Sequence, residues 1–390
     1  MRKGLLLLVG WVLACLSLHG QTDRLPILTG DTQTERYFPL LRGKRIGLYS
    51  NQTGMAGDIH VVDLLKEAGM NVVCILSPEH GFRGVVEAGE TVKSAVDEKT
   101  GIPVVSLYNH QAGKPDAATM RQLDVLVMDI QDVGLRFYTY YITMCRLMEA
   151  CAEQNKELII LDRPNPNGMY VDGPILDMKH KSGIGWLPIP VVHGMTLGEL
   201  AQMVNGEHWL PEGRQCRLTV IPCVNYTHDS RYELIVAPSP NLPDMKSVYL
   251  YPSLCLFEGT VMSLGRGTDK PFQIYGHPNM KEQPFSFTPR SVPAAKNPPH
   301  QNKLCHGKDL SNMPDETIIR QGLDLTYLVD AYQNLKLGNA FFNSLFERLI
   351  GVDYVRQMIK EGKSAREIKA RWMPEVEQFK EQRRPYLIYD

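Results

Sequence analysis

Short β-branched runs alternate with amphipathic stretches over the first half of the chain, and several of these runs end in a polar loop. Strand-like runs cover residues 45–54, 71–77, 103–108, 124–130, 157–162 and 188–192, and helical patterns cover 61–69, 137–154 and 196–206. Alternating strands and helices are typical of a parallel sheet with helices on both faces. The sequence therefore predicts an α/β fold with a doubly wound, mainly parallel sheet, whose strand ends share one ligand crevice.

The alternation fades from residue 252 onward, and residues 281–303 are rich in Pro, Lys, Asn and Gln. Helical patterns return from Leu323 to the end of the chain. At 390 residues the chain is long for a single core. We predict three parts: a signal peptide over 1–20, a catalytic domain over 21–280 and a smaller C-terminal α+β domain over 281–390 that completes the cleft.

The amino terminus has the pattern of an export signal. Arg2 and Lys3 precede an uncharged apolar stretch from Leu5 to Leu18, which is short for a membrane span. We expect cleavage near Gly20 or Gln21; the alternative is a lipoprotein attached through Cys15. Either route predicts a periplasmic or secreted protein. The formal net charge of −1 gives no electrostatic reason to expect nucleic acid or an anionic membrane as partner.

The motif PEHGFRG follows the strand-like run at 71–77 and carries our first catalytic candidate, Glu79. An apolar environment raises a carboxyl pKa into the range of a general acid. His80, Arg83 and, from the EAGE motif, Glu90 are predicted to contact substrate. The alternative is that Glu79 pairs with Arg83 or caps a helix.

A second motif, DIQDVGLRFYTY, places acids and amphipathic side chains at another strand end. Asp129 and Asp132 are candidates for a second catalytic carboxylate, and Gln131, Arg136 and Tyr138 are predicted to bind substrate. Alternatively, one aspartate caps the following helix and Arg136 is its salt-bridge partner.

Later loops supply further substrate-binding candidates, namely Asp162, Asn165, His193, Asn241, Glu258 and Arg266. Arg266 stands between two glycines, a context that suits presentation to a carboxylate. Thr196 and Glu199 have the spacing of a capping box, so we assign Glu199 a structural role.

Several common chemistries are absent from the sequence. It has no G-x-G-x-x-G after the first strand, no Walker A motif, no G-x-S-x-G elbow, no HExxH and no paired C-x-x-C. We therefore expect no cofactor and no metal; a metal held by His80, His110 and His193 is the alternative. The scattered cysteines of the mature chain are expected to be mostly core thiols, with Cys216 and Cys223 as a weak candidate pair.

The ordered motifs SPEHGFRG, EAGE, DIQDVGLRFYTY, LDRPNP, HGMTLGELA, PSPN, FEGT and GRGT resemble those of the NamZ-like exo-β-N-acetylmuramidases. The resemblance runs from about Arg45 to the terminal RPYLIYD. This chain departs from the pattern at Leu264, where an acid is expected, and in a loop shortened to SGIG at 182–185.

The resemblance implies a Rossmann-like catalytic domain and an exported glycoside hydrolase that removes N-acetylmuramic acid from the non-reducing end of peptidoglycan fragments. It implies that Glu79, in the PEHG motif, is the catalytic acid/base. An arginine, Arg83, Arg136 or Arg266, is available to pair with the lactyl carboxylate of muramic acid. Two alternatives remain: a metal-dependent cell-wall esterase or amidase, and a non-catalytic muropeptide- or sugar-binding protein.

Overall fold

The computed structural model describes residues 25–78, 82, 95–107 and 113–390. A central sheet contains six parallel strands: β1 Ile46–Ser50, β2 Val72–Ser77, β3 Pro103–Ser106, β4 Val125–Asp129, β5 Glu157–Leu161 and β6 Arg217–Ile221. A short antiparallel strand, Ala95–Val96, pairs with the outer edge of β3. The predicted α/β class with a mainly parallel sheet is confirmed.

The strand order is β3-β2-β1-β4-β5-β6, which is the Rossmann order. The chain first adds β2 and β3 on one side of β1 and then adds β4, β5 and β6 on its other side. The strand order therefore reverses between β1 and β4. Tyr49 of β1 lies beside Leu76 of β2 and Met128 of β4. This register brings the carboxyl ends of the three strands to one edge.

Both faces of the sheet are buried, so its strands read as nearly continuous apolar runs. Tyr49, Leu126 and Met128 pack into one core, whereas their strand neighbours Leu48 and Val127 pack into a second core on the opposite face. The helices of this part of the chain are α1 Thr34–Leu41, α2 Val61–Glu67, α3 Ala117–Arg121, α4 Tyr140–Glu153, α5 Leu197–Gly206 and α6 Met245–Leu254.

A smaller antiparallel sheet follows, in the order β7-β9-β8, built from β7 Ile274–His277, β8 Phe285–Phe287 and β9 Cys305–Asp309. Its companion helices are α7 Asp315–Gln321, α8 Thr326–Leu335, α9 Phe346–Ile350, α10 Tyr354–Lys360 and α11 Ala365–Arg383. The predicted domain boundary at residue 281 lies between β7 and β8, so this sheet takes strands from both sides of it.

Two local predictions are wrong, and one strand was missed. Residues 188–192 form no strand; Pro188 and Pro190 have no N–H to give to a ladder, and Val192 makes only isolated bridges. The edge strand β6 was not predicted, because its half-exposed residues lack a buried apolar run. Cys216 and Cys223 are both free thiols.

The amino-terminal residues 1–24, including the predicted signal and Cys15, lie outside the described part of the chain. Among the residues that the structure does describe, no helix is long and apolar enough to cross a membrane.

Candidate active site

The carboxyl ends of β1, β2 and β4 meet where the strand order reverses, which is where open α/β sheets bind ligands. Four site candidates that follow β2 lie outside the described residues: Glu79, His80, Arg83 and Glu90. Phe82 of the same motif is buried, and its ring centroid is 4.9 Å from that of His60. Pro78 and Phe82 are therefore the described residues that flank this part of the motif.

A buried hydrogen-bond network joins the loops after β1 and β4. Asn51 donates from Nδ2 to the Tyr140 hydroxyl over 2.9 Å and accepts at Oδ1 from the Thr53 hydroxyl over 2.6 Å. The Thr53 oxygen accepts in turn from the Gln131 backbone N–H over 2.9 Å. Gln131, a predicted substrate contact, turns its own amide inward, to the carbonyls of Asp132 and Pro164. The network fixes this edge of the crevice.

Asp129 is fully buried in an ion pair. Arg163 donates from Nε to Asp129 Oδ1 over 2.6 Å and from Nη2 to Oδ2 over 3.1 Å, and it also pairs with buried Asp31. Burial raises the pKa of Asp129, while the Arg163 charge opposes the shift. Burial, with the nearby Asp129 charge, raises the pKa of Asp31 to about 6. In this arrangement both oxygens of Asp129 hold Arg163 rather than face the crevice.

Asp132 is a buried acid that keeps one oxygen without a partner among the described residues. Its Oδ1 accepts from the Gly134 backbone N–H over 2.7 Å, whereas its Oδ2 has no hydrogen-bond partner among the described residues. The residue lines a small cavity of about 10 Å³ together with Asn165 and Thr196, which is room for about one water molecule. Burial raises the pKa of Asp132 to about 7. This carboxyl group therefore exchanges a proton near neutral pH.

Asp162 and Asn165, in the loop after β5, are engaged within the protein. Asp162 accepts from the Thr196 hydroxyl at 2.7 Å, the Gly198 N–H at 2.9 Å and the Tyr389 hydroxyl at 2.7 Å. Asn165 donates to the Met195 carbonyl over 2.9 Å. These contacts hold the amino terminus of α5 against the sheet edge, and both residues are structural in the described arrangement.

His193 also points into the protein and is 1% exposed. Its Nδ1 accepts from the Met195 N–H, and burial together with the Arg383 charge lowers its pKa to about 3. The imidazole is therefore neutral at physiological pH. The predicted capping box at Thr196 and Glu199 is confirmed, with the Glu199 carboxylate accepting from the Thr196 N–H over 2.9 Å.

Arg136 is completely buried and binds backbone rather than an anion. Its guanidinium donates to four carbonyl oxygens over 2.7 to 3.1 Å, those of Pro174, Ile189, Leu349 and Ile350. The last two lie at the carboxyl end of α9, where the helix dipole favours a cation. The alternative assignment of a salt bridge to a helix-capping aspartate is wrong, because Arg136 holds carbonyls and α4 begins after Thr139.

Glu258 and Arg266 form a partly exposed ion pair, with an Nη2 to Oε1 distance of 2.7 Å. About a quarter of each side chain is exposed, 25% for Arg266 and 27% for Glu258. Asn241 donates to the Ala294 carbonyl over 2.9 Å, and Tyr138 donates to the Pro238 carbonyl over 2.8 Å. The ion pair thus offers charged groups to a ligand, whereas Asn241 and Tyr138 fasten the loops around it.

Sequence reasoning did not nominate several residues that build this site. Arg163 follows a nominated aspartate directly, but nothing local indicates that it bridges Asp31 and Asp129. Asn51 could have been found from its position in the polar loop after β1. Among the described residues, no group of three His, Cys, Asp or Glu side chains is arranged to hold a metal ion.

Together, the fold and site define an α/β protein with a Rossmann-ordered sheet, whose candidate ligand site lies at the reversal point of the strand order. Two family profiles match nearly all of the chain: the N-terminal one of the exo-beta-N-acetylmuramidase NamZ over residues 46–246, and the C-terminal one over 249–389. The chain belongs to this family, whose named activity is that of a glycoside hydrolase.

Similar proteins include the peptidoglycan beta-N-acetylmuramidase NamZ of Bacillus subtilis, which is 37% identical over 397 residues and covers 95% of this chain and 93% of its own. A crystal structure of a DUF1343 family protein from Bacteroides fragilis is 61% identical, with a TM-score of 0.88 over 94% of this chain and 99% of that one. A second such protein from the same species is 29% identical, with a TM-score of 0.78 over 94% and 100% of the two chains.

Proposed function

We propose that this protein is an exported, exo-acting glycoside hydrolase that releases N-acetylmuramic acid from the non-reducing end of peptidoglycan fragments, with Glu79 as its acid/base. The observation that carries the proposal is that the PEHG motif directly follows β2, the strand next to β1 on one side of the reversal point of the sheet. Family membership and the Bacillus subtilis relative supply the substrate class.

The geometry of the other acids supports the choice of Glu79. Asp129 holds Arg163, and Asp162 accepts three internal hydrogen bonds. Either carboxylate would have to leave these partners to reach a sugar, at the cost of stranding buried polar groups. Asp132 keeps one free oxygen, but it lines a cavity the size of one water molecule.

Glycoside hydrolysis passes through an oxocarbenium-like transition state, which a carboxylic acid assists by protonating the departing glycosidic oxygen. Glu79 supplies that proton in our proposal and recovers it from the incoming water. The network around Asn51 fixes the neighbouring strand ends and so reduces the reorganisation needed to align the sugar.

The first test is release of free N-acetylmuramic acid from a MurNAc-GlcNAc disaccharide by the mature protein. We expect turnover by the wild type and a fall of at least about 10²-fold for Glu79→Gln, the scale of a general acid. Glu98→Gln, which changes an exposed glutamate downstream in the chain, is the matched control. Binding without release by folded wild type would instead identify a sugar-binding protein.

Exo action is tested separately with longer glycans. Fragments with a free non-reducing MurNAc should lose that sugar first, whereas fragments whose terminal 4-hydroxyl is methylated should resist. Internal cleavage of the capped fragments would contradict the exo assignment. Export is tested by cell fractionation together with the amino-terminal sequence of the mature protein.

A further inference from the structure

The GRGT loop presents Arg266 on a rigid backbone. Gly265 and Gly267 have φ values of 85° and 80°, a region that favours glycine. The Phe272 N–H donates to the Leu264 carbonyl over 2.8 Å, and the Arg290 N–H donates to the Gly267 carbonyl over 2.8 Å. These bonds on either side of Arg266 fix the direction in which its side chain leaves the loop.

The guanidinium is held on one edge and open on another. Its Nε and Nη2 donate to Glu258 Oε1 over 3.3 and 2.7 Å, and its Cζ atom lies 5.1 Å from the ring centroid of Phe272. Nη1 has no hydrogen-bond partner among the described residues, and neither has Glu258 Oε2. The pair is therefore preorganised, and it keeps one donor group and one acceptor atom for a ligand.

A row of four aromatic rings connects Arg266 to the reversal point of the sheet. Tyr140, which binds Asn51, has its ring centroid 4.9 Å from that of Tyr138; Tyr138 is 6.3 Å from Tyr251, and Tyr251 is 4.7 Å from Phe272. This aromatic row lies between the end of β1 and the Glu258–Arg266 pair. All four rings are buried, so this packed row fixes the Glu258–Arg266 pair relative to the sheet edge that carries the proposed site.

We infer that Arg266 binds the lactyl carboxylate of a terminal muramic acid through Nη1 and so selects this sugar over N-acetylglucosamine. The inference rests on the proposed function. A guanidinium edge is the geometry that recognises a carboxylate, and Glu258 orients it through the opposite edge. Arg136, the other described candidate, is excluded because it is completely buried and its Nη1 and Nη2 donate to four carbonyl oxygens.

The test combines a substitution in the protein with a change in the substrate. Wild type and Arg266→Gln are assayed on an aryl β-glycoside of N-acetylmuramic acid and on its analogue with a carboxamide in place of the carboxylate. We expect Arg266→Gln to lower kcat/KM about 10- to 100-fold on the acid and less than about threefold on the amide, because only the acid makes a charge-assisted contact. Gln keeps an N–H donor for Glu258.

Matched variants separate recognition from folding. Arg231→Gln changes an exposed arginine that also pairs with a glutamate, Glu316, over 2.9 Å and should leave both substrates unaffected. Arg266→Lys keeps the charge without the planar fork and should give an intermediate, acid-selective loss. Equal losses on acid and amide for folded Arg266→Gln would overturn the inference.

Calorimetric binding of free N-acetylmuramic acid and its amide distinguishes failure of this inference from failure of the proposed function. If the wild type hydrolyses neither glycoside but prefers the acid in binding, and Arg266→Gln abolishes that preference, the hydrolase proposal fails while the Arg266 assignment stands. If the wild type hydrolyses both glycosides equally well, the assignment fails while the hydrolase proposal stands.

Discussion

The hydroxyl of Tyr389, the penultimate residue, donates a hydrogen bond over 2.7 Å to Asp162, which follows β5 and lies 227 positions earlier in the chain. The same hydroxyl accepts from the Cys223 N–H over 2.8 Å. The end of the chain thus completes the polar environment of a buried carboxylate beside α5. This contact couples the C-terminal tail to the sheet edge that carries the candidate site.

Tyr389→Phe should therefore destabilise the protein, by about 1 to 3 kcal/mol, because it leaves the buried Cys223 N–H unpaired and removes one of the two hydrogen bonds to Asp162 Oδ2. Burial raises the pKa of Asp162 to about 6, and the Tyr389 hydrogen bond opposes that rise. The loss should be larger at pH 8, where the carboxylate is ionised, than at pH 5. Denaturant unfolding at both pH values measures it.

Tyr386→Phe is the control for this prediction. Tyr386 belongs to the same tail and donates to Glu207 over 2.8 Å, but it is less buried. Tyr386→Phe should lower the free energy of unfolding by less than Tyr389→Phe does, and the decrease should be nearly independent of pH. Equal losses for the two variants would argue against a special role of the buried Asp162.

Arg163→Met should lower the free energy of unfolding by about 3 to 5 kcal/mol at pH 8, because it leaves Asp31 and Asp129 as buried, unpaired carboxylates. Both acids have raised pKa values, so protonation should relieve part of the loss at pH 5. The triple variant that adds Asp31→Asn and Asp129→Asn removes the uncompensated charge. A triple variant no more stable than Arg163→Met would contradict this account.

The sequence predicted the parts of the fold that depend on local pattern. The strand expected at 71–77 occupies Val72–Ser77, and the helix expected at 196–206 occupies Leu197–Gly206 with its capping box. Residues 188–192 were misassigned because an apolar run reports burial but does not report whether backbone N–H groups are available for a ladder.

Local sequence patterns could not predict side-chain partners that are distant in the sequence. Arg136 was nominated for substrate, yet its guanidinium binds Leu349 and Ile350, more than 200 positions away. Asp129 stands at a strand end, as expected of a site residue, but its charge is held by Arg163. Strand-end position therefore located the crevice edge, whereas packing decided which of its polar residues face a ligand.

Relative to wild type, Asp132→Asn should be more stable at alkaline pH than at acid pH. Burial raises the Asp132 pKa from 3.8 to about 7, so between these values the folded protein holds a proton that the unfolded chain has released. That proton's contribution to stability falls as pH rises from about 4 to about 7. The asparagine amide does not titrate, so the variant lacks this loss of stability with rising pH. Its side-chain oxygen still accepts from the Gly134 N–H. We expect a relative gain on the order of 1 to 4 kcal/mol at pH 8 over pH 4. A difference from wild type that does not change with pH would contradict the raised pKa.

Arg136→Lys should cost at least about 3 kcal/mol of folding stability, because an ammonium cannot reach four carbonyls that a guanidinium fork spans over 2.7 to 3.1 Å. Folded Arg136→Lys should nevertheless retain the wild-type preference for the muramic acid glycoside over its amide, since this side chain meets backbone alone. Arg348→Lys, on the exposed side of α9, is the matched control and should leave stability nearly unchanged. Unfolding curves measure the stability, and the two-substrate assay measures the preference for the acid. A stable Arg136→Lys variant that loses this preference would indicate that Arg136 contacts the substrate. The reason for choosing Arg266 over Arg136 would then no longer hold.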